Sequence, residues 1–253
     1  MDLGLSGKRF VVTGGTRGIG RAVVEGLLAE GASVAFCART PDAVAEAQTE
    51  LTAQGATAVG TAVDVGDGAA VAALVAAAAD ALGGLDGVVA NVSALAIPET
   101  PDNWRTTFEV DLMGTVALVD AALPHLLAAG SGSIVTISSV SGREIDFAAG
   151  PYGTMKAAII HYTQGVAYKL AAQGVRANSV SPGNTYFPGG VWPSIEENNP
   201  ELFAQALALN PTGRMATPQE VAYAVIMLAS PRASFITGTN LLVDGALTRG
   251  VQL

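Results

Sequence analysis

Tyr152 and Lys156 are the residues whose types and spacing point most directly to chemistry. They stand four positions apart in Gly-Pro-Tyr-Gly-Thr-Met-Lys, and on a helix this spacing places both side chains on one face. An ordinary phenol loses its proton near pH 10, so acid/base work near neutrality needs roughly 4 kcal/mol of added phenolate stabilisation. Lys156 supplies a positive charge. Pro151 is typical of a first helical position, where backbone N–H groups favour negative charge, so the pair predicts a proton-transfer device.

A glycine-rich segment, Thr13-Gly-Gly-Thr-Arg-Gly-Ile-Gly20, follows the first predicted strand and precedes a helical pattern. Glycines let the backbone turn tightly and approach a diphosphate, whose charge is met by the helix N-terminus. The alternative is a tight connection without a ligand, but the order of strand, turn and helix favours a dinucleotide site. The residues of this segment expected to bind the cofactor are Gly14, Thr16, Arg17, Gly18, Ile19 and Gly20.

The end of the second predicted strand indicates which dinucleotide binds. It reads Phe36-Cys-Ala-Arg39 and lacks the Asp or Glu that would bind a free ribose 2′-hydroxyl. Arg39 and Arg17 could instead bind a 2′-phosphate through charge-assisted hydrogen bonds. The sequence therefore predicts NADP(H) rather than NAD(H), the alternative being that either arginine is a solvated surface charge.

The order of elements predicts the fold class. Apolar, β-branched runs alternate with Ala-rich amphipathic segments, which indicates an α/β, doubly wound parallel sheet with helices on both faces. One domain over residues 1–253 is expected, with an Ala-rich surface helix at 67–82 and an irregular substrate lid at 184–210. The predicted strands are Arg9–Thr13, Ser33–Ala38, Thr57–Val63, Gly87–Asn91, Ser133–Ser138, Arg176–Val180 and Asn240–Val243.

Composition argues against several classes of protein. The formal charge of −9 disfavours binding to nucleic acid. The longest uncharged stretch, 121–142, contains Pro124 and is unsuited to a membrane span, and the first residues do not resemble a secretory signal, so a cytoplasmic protein is expected. Cys37 is the only cysteine, and His125 and His161 stand apart from any ligand pattern, so no metal site is expected.

Several motifs together resemble the short-chain dehydrogenase/reductase family, in its 3-oxoacyl-reductase-like branch. They are the glycine turn, the Tyr-x-x-x-Lys pair and the strand end Ile-Val-Thr-Ile-Ser-Ser139, and the likeness continues through Gly213-Arg214 to Asp244-Gly245. The resemblance implies a Rossmann-type sheet of seven strands in the order 3-2-1-4-5-6-7. It also implies hydride transfer between the nicotinamide of NADP(H) and a ketone or secondary alcohol.

The same resemblance implies roles for individual residues. Ser139, thirteen positions before Tyr152, would hydrogen-bond the substrate oxygen while Tyr152 protonates it. Lys156 would hold the nicotinamide ribose and stabilise the phenolate. The four-residue spacing of the pair argues against the enoyl-reductase branch, whose pair is more widely spaced. Further cofactor contacts implied near the adenine, the adenosine ribose and the nicotinamide are Asp64, Val65, Asn91, Pro182, Gly183 and Thr185.

Asp111 departs from the family pattern, which commonly has Asn at this position to hold a water between the lysine and solvent. An ionised Asp accepts hydrogen bonds but donates none, and if buried it must pair with a cation or take up a proton. Asp111 is the fourth catalytic candidate, either keeping the relay through water or altering it, unless it is a plain solvated or capping carboxylate. Two further departures lie near the nicotinamide: Ala-Asn-Val-Ser93 in place of Asn-Asn-Ala-Gly, and Thr185 with Phe187 after Pro182-Gly183.

The substrate-facing residues are expected between Ser139 and Tyr152 and in the lid. Arg143, Glu144, Ile145, Phe147 and the lid aromatics suit a medium-sized apolar ketone or secondary alcohol with one polar group. A rival hypothesis is a non-catalytic NADP(H)-binding scaffold or sensor on the same fold. By resemblance a homo-oligomer, dimer or tetramer, is expected, with contacts through the helix that begins near Tyr152 and through the C-terminal strand.

Overall fold

Seven parallel strands form one sheet in the computed structural model, which describes residues 2–53 and 55–250. The spatial order is β3-β2-β1-β4-β5-β6-β7, which confirms the predicted order and fold class. Three predicted strands match at both ends and the other four differ by one or two residues. The bounds are β1 Arg9–Thr13, β2 Ser33–Ala38, β3 Ala58–Ala62, β4 Gly87–Ala90, β5 Gly132–Ile137, β6 Val175–Pro182 and β7 Asn240–Val243.

Two apolar cores lie on the two faces of the sheet. Alternate residues of a strand face opposite sides, so Phe10 and Val12 pack into one core while Val11, between them, packs into the other. Helices α1, α2 and α9 cover the first face, and α3, α5 and α6 cover the second. The helices are α1 Gly18–Ala29, α2 Pro41–Thr52, α3 Gly68–Leu82, α4 Pro101–Thr107, α5 Gly114–Ala128, α6 Pro151–Leu170, α7 Val191–Asn198, α8 Pro200–Ala208 and α9 Pro218–Ala229.

The local sequence of helix α3 explains where the helix begins and which of its faces is buried. The side chain of Asp67 accepts hydrogen bonds from the backbone N–H groups of Ala69 and Ala70, which caps the first turn. Its apolar stripe, in which Val71 and Leu74 are buried, faces the sheet as its spacing predicts. The Ala-rich segment is therefore an ordinary covering helix.

Helices α4 and α5 are joined by a six-residue π-helical turn, Phe108–Met113, into one continuous helical run. A π-helical turn closes its hydrogen bond one residue further along the chain than an α-helical turn, and such turns are frequent at functional sites. By length and composition alone the run is apolar enough to cross a membrane. Its α5 half packs Leu118 and Leu126 against α3 and the sheet, and 39% of its most apolar stretch is buried within the protein.

The expectation of an irregular segment at 184–210 is wrong, because α7 and α8 lie within it. Asn199 caps α8 by accepting a hydrogen bond from the N–H of Leu202 at 3.2 Å, and Pro200 takes the first helical position, where a proline is tolerated. Trp192 is buried edge-on against Phe203, with 6.4 Å between ring centroids. Pro200 is thus a first-turn residue of α8, and Trp192 and Phe203 are packing residues.

Candidate active site

Tyr152 and Lys156 lie on one face of α6, as their spacing predicts. The helix begins at Pro151, so Tyr152 is in its first turn. The Lys156 ammonium nitrogen is 5.5 Å from the centroid of the Tyr152 ring, and the lysine side chain is only 2% exposed. Burial and, to a lesser extent, the Asp120 charge raise the pKa of Tyr162, on the same helix, to about 12.

The Lys156 ammonium contacts the end of β5 and the π-helical turn. It donates a hydrogen bond of 3.1 Å to the carbonyl of Ile137, the last residue of β5. It also lies 3.4 Å from Oδ1 of Asp111, a distance at which the charges attract although the geometry of a hydrogen bond is not met. Asp111 is fully buried, and its Oδ2 accepts from the N–H of Ala94 at 2.8 Å. Of the expected alternatives for Asp111, the structure excludes a solvated carboxylate and places its Oδ1 beside a cation.

Two serines follow β5, and the structure separates their roles. The Ser138 hydroxyl donates a 2.7 Å hydrogen bond to the carbonyl of Lys156, so it joins the strand to α6. Ser139 instead accepts from the N–H of Ser141 at 3.2 Å. The segment that begins at Ser139 packs against α6 at Gly153. A methyl group added at Gly153 would lie 2.7 Å from the carbonyl oxygen of Ser141. Only glycine at this position lets the serine segment pack directly beside Tyr152.

The glycine turn has the shape that a dinucleotide diphosphate requires. A methyl group at Gly20 would lie 2.1 Å from the Gly14 carbonyl oxygen, so the tight turn depends on glycine there. Arg17, the N-cap residue of α1, makes no side-chain hydrogen bond to the first turn, which leaves backbone N–H groups available to an anion. Thr16 and Ile19 are half-buried in the same turn. The residues present therefore fit the cofactor.

Asn91 has a role that sequence reasoning missed. Its side-chain amide donates to the carbonyls of Thr13 and Gly14 at 3.2 and 3.3 Å, and its N–H donates to the Thr13 hydroxyl at 3.0 Å. It therefore holds the glycine turn against the end of β4. The sequence signal for this role is an Asn one residue beyond β4, the strand that pairs with β1. A side-chain amide at that place can donate to the carbonyls of the glycine turn.

The other predicted cofactor residues lie beyond the carboxyl ends of strands, the edge at which open parallel sheets bind ligands. Asp64, exposed, and Val65, buried, follow β3, and the Asp64 carboxylate accepts from the N–H of Gly66. Pro182 ends β6, and Gly183 donates its N–H to the carbonyl of Val243. The buried Thr185 donates its hydroxyl to the Gly183 carbonyl at 3.1 Å.

The segment 184–210 is attached to the glycine turn at two points. A methyl group at Gly18 would lie 2.6 Å from Cζ of Phe187, so the phenyl ring rests against the turn. Arg17 donates a hydrogen bond of 3.1 Å to the carbonyl of Gly189. Arg39 is exposed at the end of β2. The two arginines predicted for one phosphate thus have different surroundings.

Arg143 and Glu144, which were expected to face the substrate, are exposed, but both are hydrogen-bonded to the C-terminal part of the fold. The Arg143 guanidinium donates to the side chain of Asn240 at 3.0 Å, and Glu144 accepts from the N–H groups of Arg249 and Gly250. Both reach the C-terminal part of the fold, which lies far away in the sequence. The apolar residues expected beside them remain exposed, Ile145 by 91% and Phe147 by 52%.

A cavity of about 570 Å³ lies away from these residues, at the amino ends of the strands. Its lining includes Lys8, Asp86, Arg176 and Phe235 and none of the predicted site residues. The described residues contain no group of three His, Cys, Asp or Glu side chains able to hold a metal ion. Burial raises the pKa of the Cys37 thiol to about 11, so it stays protonated near neutrality. The groups suited to chemistry therefore converge at the carboxyl edge of the sheet.

Comparison with known proteins agrees with this geometry. Residues 14–248 match a family model described as enoyl-(acyl carrier protein) reductase. Isoepoxydon dehydrogenase of Penicillium expansum is 39% identical over 263 aligned positions, which cover 100% of this chain and 99% of that protein.

Two solved structures share the fold. L-sorbose reductase of Gluconobacter frateurii, complexed with NADPH and L-sorbose, is 28% identical with a TM-score of 0.92, covering 99% of this chain and 100% of that one. A 7α-hydroxysteroid dehydrogenase, complexed with NADH and 7-oxo glycochenodeoxycholic acid, is 27% identical with a TM-score of 0.90, covering 97% and 96%. The chain belongs to the short-chain dehydrogenase/reductase family and is an oxidoreductase of that family.

Proposed function

We propose that the protein is an NADP(H)-dependent oxidoreductase that interconverts a ketone and a secondary alcohol, with Tyr152 as the general acid and base. The observation that carries the proposal is the buried Lys156 ammonium beside the Tyr152 ring, fixed between the Ile137 carbonyl and Asp111. Burying a charge is costly unless it is paired and hydrogen-bonded. A buried cation beside a phenol suits a site that must stabilise a phenolate.

The chemistry divides between cofactor and protein. When bound, the cofactor supplies or accepts the hydride. Tyr152 donates its proton to the substrate oxygen during reduction, and Lys156 stabilises the phenolate that remains. Ser139 holds the substrate oxygen by a hydrogen bond. In the reverse direction the phenolate takes the proton from the alcohol.

The surroundings of the site support a medium-sized, largely apolar substrate with one polar group. Ile145 and Phe147 are exposed between Ser139 and Tyr152, and Leu95 is 47% exposed after β4. The ligands named for the two solved structures, L-sorbose and a 7-oxo steroid, each contain a ketone. The four-residue spacing of Tyr152 and Lys156 supports reduction of C=O rather than the C=C suggested by the name of the family model.

Absorbance at the nicotinamide band tests the proposed function. The purified protein is mixed with NADPH and with cyclohexanone, acetophenone or 2-octanone in turn, and with NADP⁺ and the matching alcohols. Turnover of at least one pair is expected. Tight NADPH binding with no turnover of any ketone or alcohol would instead favour the scaffold or sensor hypothesis.

Arg39→Asp tests the cofactor proposal. A charge-assisted hydrogen bond to phosphate contributes about 1.5–3 kcal/mol, so NADPH should bind roughly 10- to 100-fold more weakly. NADH should bind no more weakly and can bind more tightly, because an Asp at this position can accept a hydrogen bond from the free ribose 2′-hydroxyl. Calorimetric titration of both cofactors measures this. Arg105→Asp, an exposed arginine on α4 with the same change of charge, serves as the matched control. If the unaltered protein bound NADH as tightly as NADPH or more tightly, the proposal would be contradicted. It would also be contradicted if Arg39→Asp left the affinity for NADPH unchanged.

Phe187→Ala tests whether residues 184–210 act as a lid over the cofactor. Burying such a side chain contributes about 1.5–3 kcal/mol, and part of this energy holds the segment on the glycine turn. We expect NADPH to associate roughly tenfold faster in the variant. Stopped-flow fluorescence of the lid residue Trp192 follows the reaction, and the fully exposed Phe235→Ala is the control. An unchanged association rate would show that the ring does not limit access.

We also propose that the protein self-associates, as a dimer or tetramer, in the cytoplasm. A large side chain is exposed on the helix expected to meet a second copy, Tyr168 on α6, by 89%. Burying such side chains would favour association.

A further inference from the structure

The substrate loop, residues 143–147, is bound to the C-terminal end of the fold through Glu144. Oε1 of Glu144 accepts from the backbone N–H groups of Arg249 and Gly250, each at 3.1 Å. A methyl group at Gly250 would lie 3.4 Å from the same oxygen, so the backbone approaches the carboxylate closely. Hydrogen bonds to an ionised acceptor are roughly twice as strong as neutral ones. One carboxylate therefore joins two segments that are remote in sequence.

The C-terminal segment, residues 244–250, starts beside a predicted cofactor residue. A methyl group at Gly183 would lie 2.9 Å from Cα of Asp244, so the two backbones are in direct contact. The Asp244 carboxylate accepts from the N–H groups of Ala246 and Thr248, both at 3.0 Å, which folds the segment into a turn. Ala246 has a φ of 68°, a conformation that a non-glycine residue keeps only where its surroundings hold it. The segment thus runs from the cofactor side of the site to the substrate loop by a defined path.

The substrate loop presents two apolar side chains. Ile145 is 91% exposed, and Phe147 is 52% exposed and meets Trp192 of α7 edge-on, with 6.0 Å between ring centroids. A largely apolar substrate would be buried against such side chains. Glu144 immediately precedes Ile145 in the chain, so the bonds at Glu144 restrict where Ile145 lies.

The catalytic serine is held by separate bonds. Oγ of Ser139 lies 3.3 Å from Oγ of Ser141, whose hydroxyl donates to Asp146 at 2.6 Å. Asp146 also accepts from the N–H of Ala148 at 2.8 Å. None of these bonds involves the C-terminal segment. Loss of the Glu144 bonds should therefore leave the reacting groups in place.

We propose that Glu144 is a positioning residue that binds the C-terminal segment and thereby preorganises the substrate loop for a largely apolar ketone or alcohol. A loop already held in its bound conformation loses less entropy when the substrate binds. Such a contact stabilises the substrate complex and the transition state alike, so it lowers KM and leaves kcat unchanged. The inference rests on the proposed function, because it assigns Glu144 a role in binding that substrate.

Glu144→Ala removes the acceptor of both N–H groups. The probe is the substrate that the unaltered protein turns over fastest among cyclohexanone, acetophenone, 2-octanone and the matching alcohols. Its KM should rise about three- to tenfold, the range of one net hydrogen bond, while kcat and the affinity for NADPH stay nearly unchanged. Glu144→Gln keeps an oxygen that can accept, so it should restore most of the lost affinity. Glu46→Ala removes an exposed carboxylate from α2 and is the matched control.

Removal of residues 249–253 tests whether Glu144 acts through the C-terminal segment. The shortened protein lacks both N–H donors, so its KM should rise as in Glu144→Ala, and Glu144→Ala should add nothing in that background. Arg249→Pro removes one of the two donors and gives the same test in a full-length chain. An effect of Glu144→Ala that persists fully in these backgrounds would mean that Glu144 contacts the substrate directly, and it would overturn the inference.

The kinetic outcomes separate the inference from the proposed function. An active protein whose KM is unchanged by Glu144→Ala overturns the inference and leaves the proposed function intact. A fall in kcat together with the unfolding temperature, at constant KM, would show a merely structural role and would also overturn it. An unaltered protein that turns over no ketone and no alcohol overturns both.

Discussion

Tyr152→Phe is expected to lower turnover by a factor of about 10² to 10⁴, the usual contribution of a positioned general acid or base. The substitution removes one hydroxyl and leaves the ring beside Lys156, so the fold and the pocket should persist. NADPH affinity measured by calorimetry should stay nearly unchanged. The loss should appear in kcat as well as in kcat/KM, because the missing proton transfer occurs in the transition state.

Tyr168→Phe provides the matched control. Tyr168 lies on the same helix but is 89% exposed, and the same atom is removed. Its turnover should equal that of the unaltered protein. If Tyr152→Phe instead kept the rate of the unaltered protein in a single-turnover measurement of NADPH oxidation, the proton donor would have to be another group, and the proposed mechanism would be wrong.

Asp111→Ala is expected to have the largest effect on stability. Removing one partner of a buried ion pair leaves the other charge uncompensated and costs about 3–5 kcal/mol. Among the residues that the structure describes, Lys156, 2% exposed, would keep only the Ile137 carbonyl as a polar partner, and the N–H of Ala94 would lose its acceptor. Denaturant unfolding should show this loss. Turnover should fall as well, because the lysine that stabilises the phenolate would no longer be held in place.

Asp111→Asn distinguishes the charge from the hydrogen bond. The side-chain oxygen can still accept from Ala94, so the helix should stay in place while the attraction to Lys156 is lost. We expect a smaller loss of stability than in Asp111→Ala, with a clear change in the pH dependence of turnover. Asp102→Ala, 91% exposed on α4, is the control for removing a carboxylate from the same helical run. Unchanged stability in Asp111→Ala would show that the pair contributes nothing.

The fold class and most of the strands could be predicted from local, repeated signals in the sequence, whereas the order of the strands was implied by the resemblance to a family. Apolar runs of strand length alternate with helical spacing, and β1 and β2 begin and end at the predicted residues. The segment 184–210 could not be predicted in this way. Its helices α7 and α8 are stabilised by the packing of Trp192 against Phe203, and sequence period does not report which side chains meet in space.

The candidate site, like the fold, could be predicted from the sequence only in part. The sequence by itself determined that Tyr152 and Lys156 share a helix face, because helical geometry relates positions four apart whatever surrounds them. Only the tertiary structure decided that Asp111 faces Lys156, that Asn91 holds the glycine turn and that Ser141 links Ser139 to Asp146. The first two contacts join residues on separate elements, and the third depends on how a loop folds back after β5. Burial and hydrogen-bond direction there follow from packing in three dimensions, which no local pattern of residue types encodes.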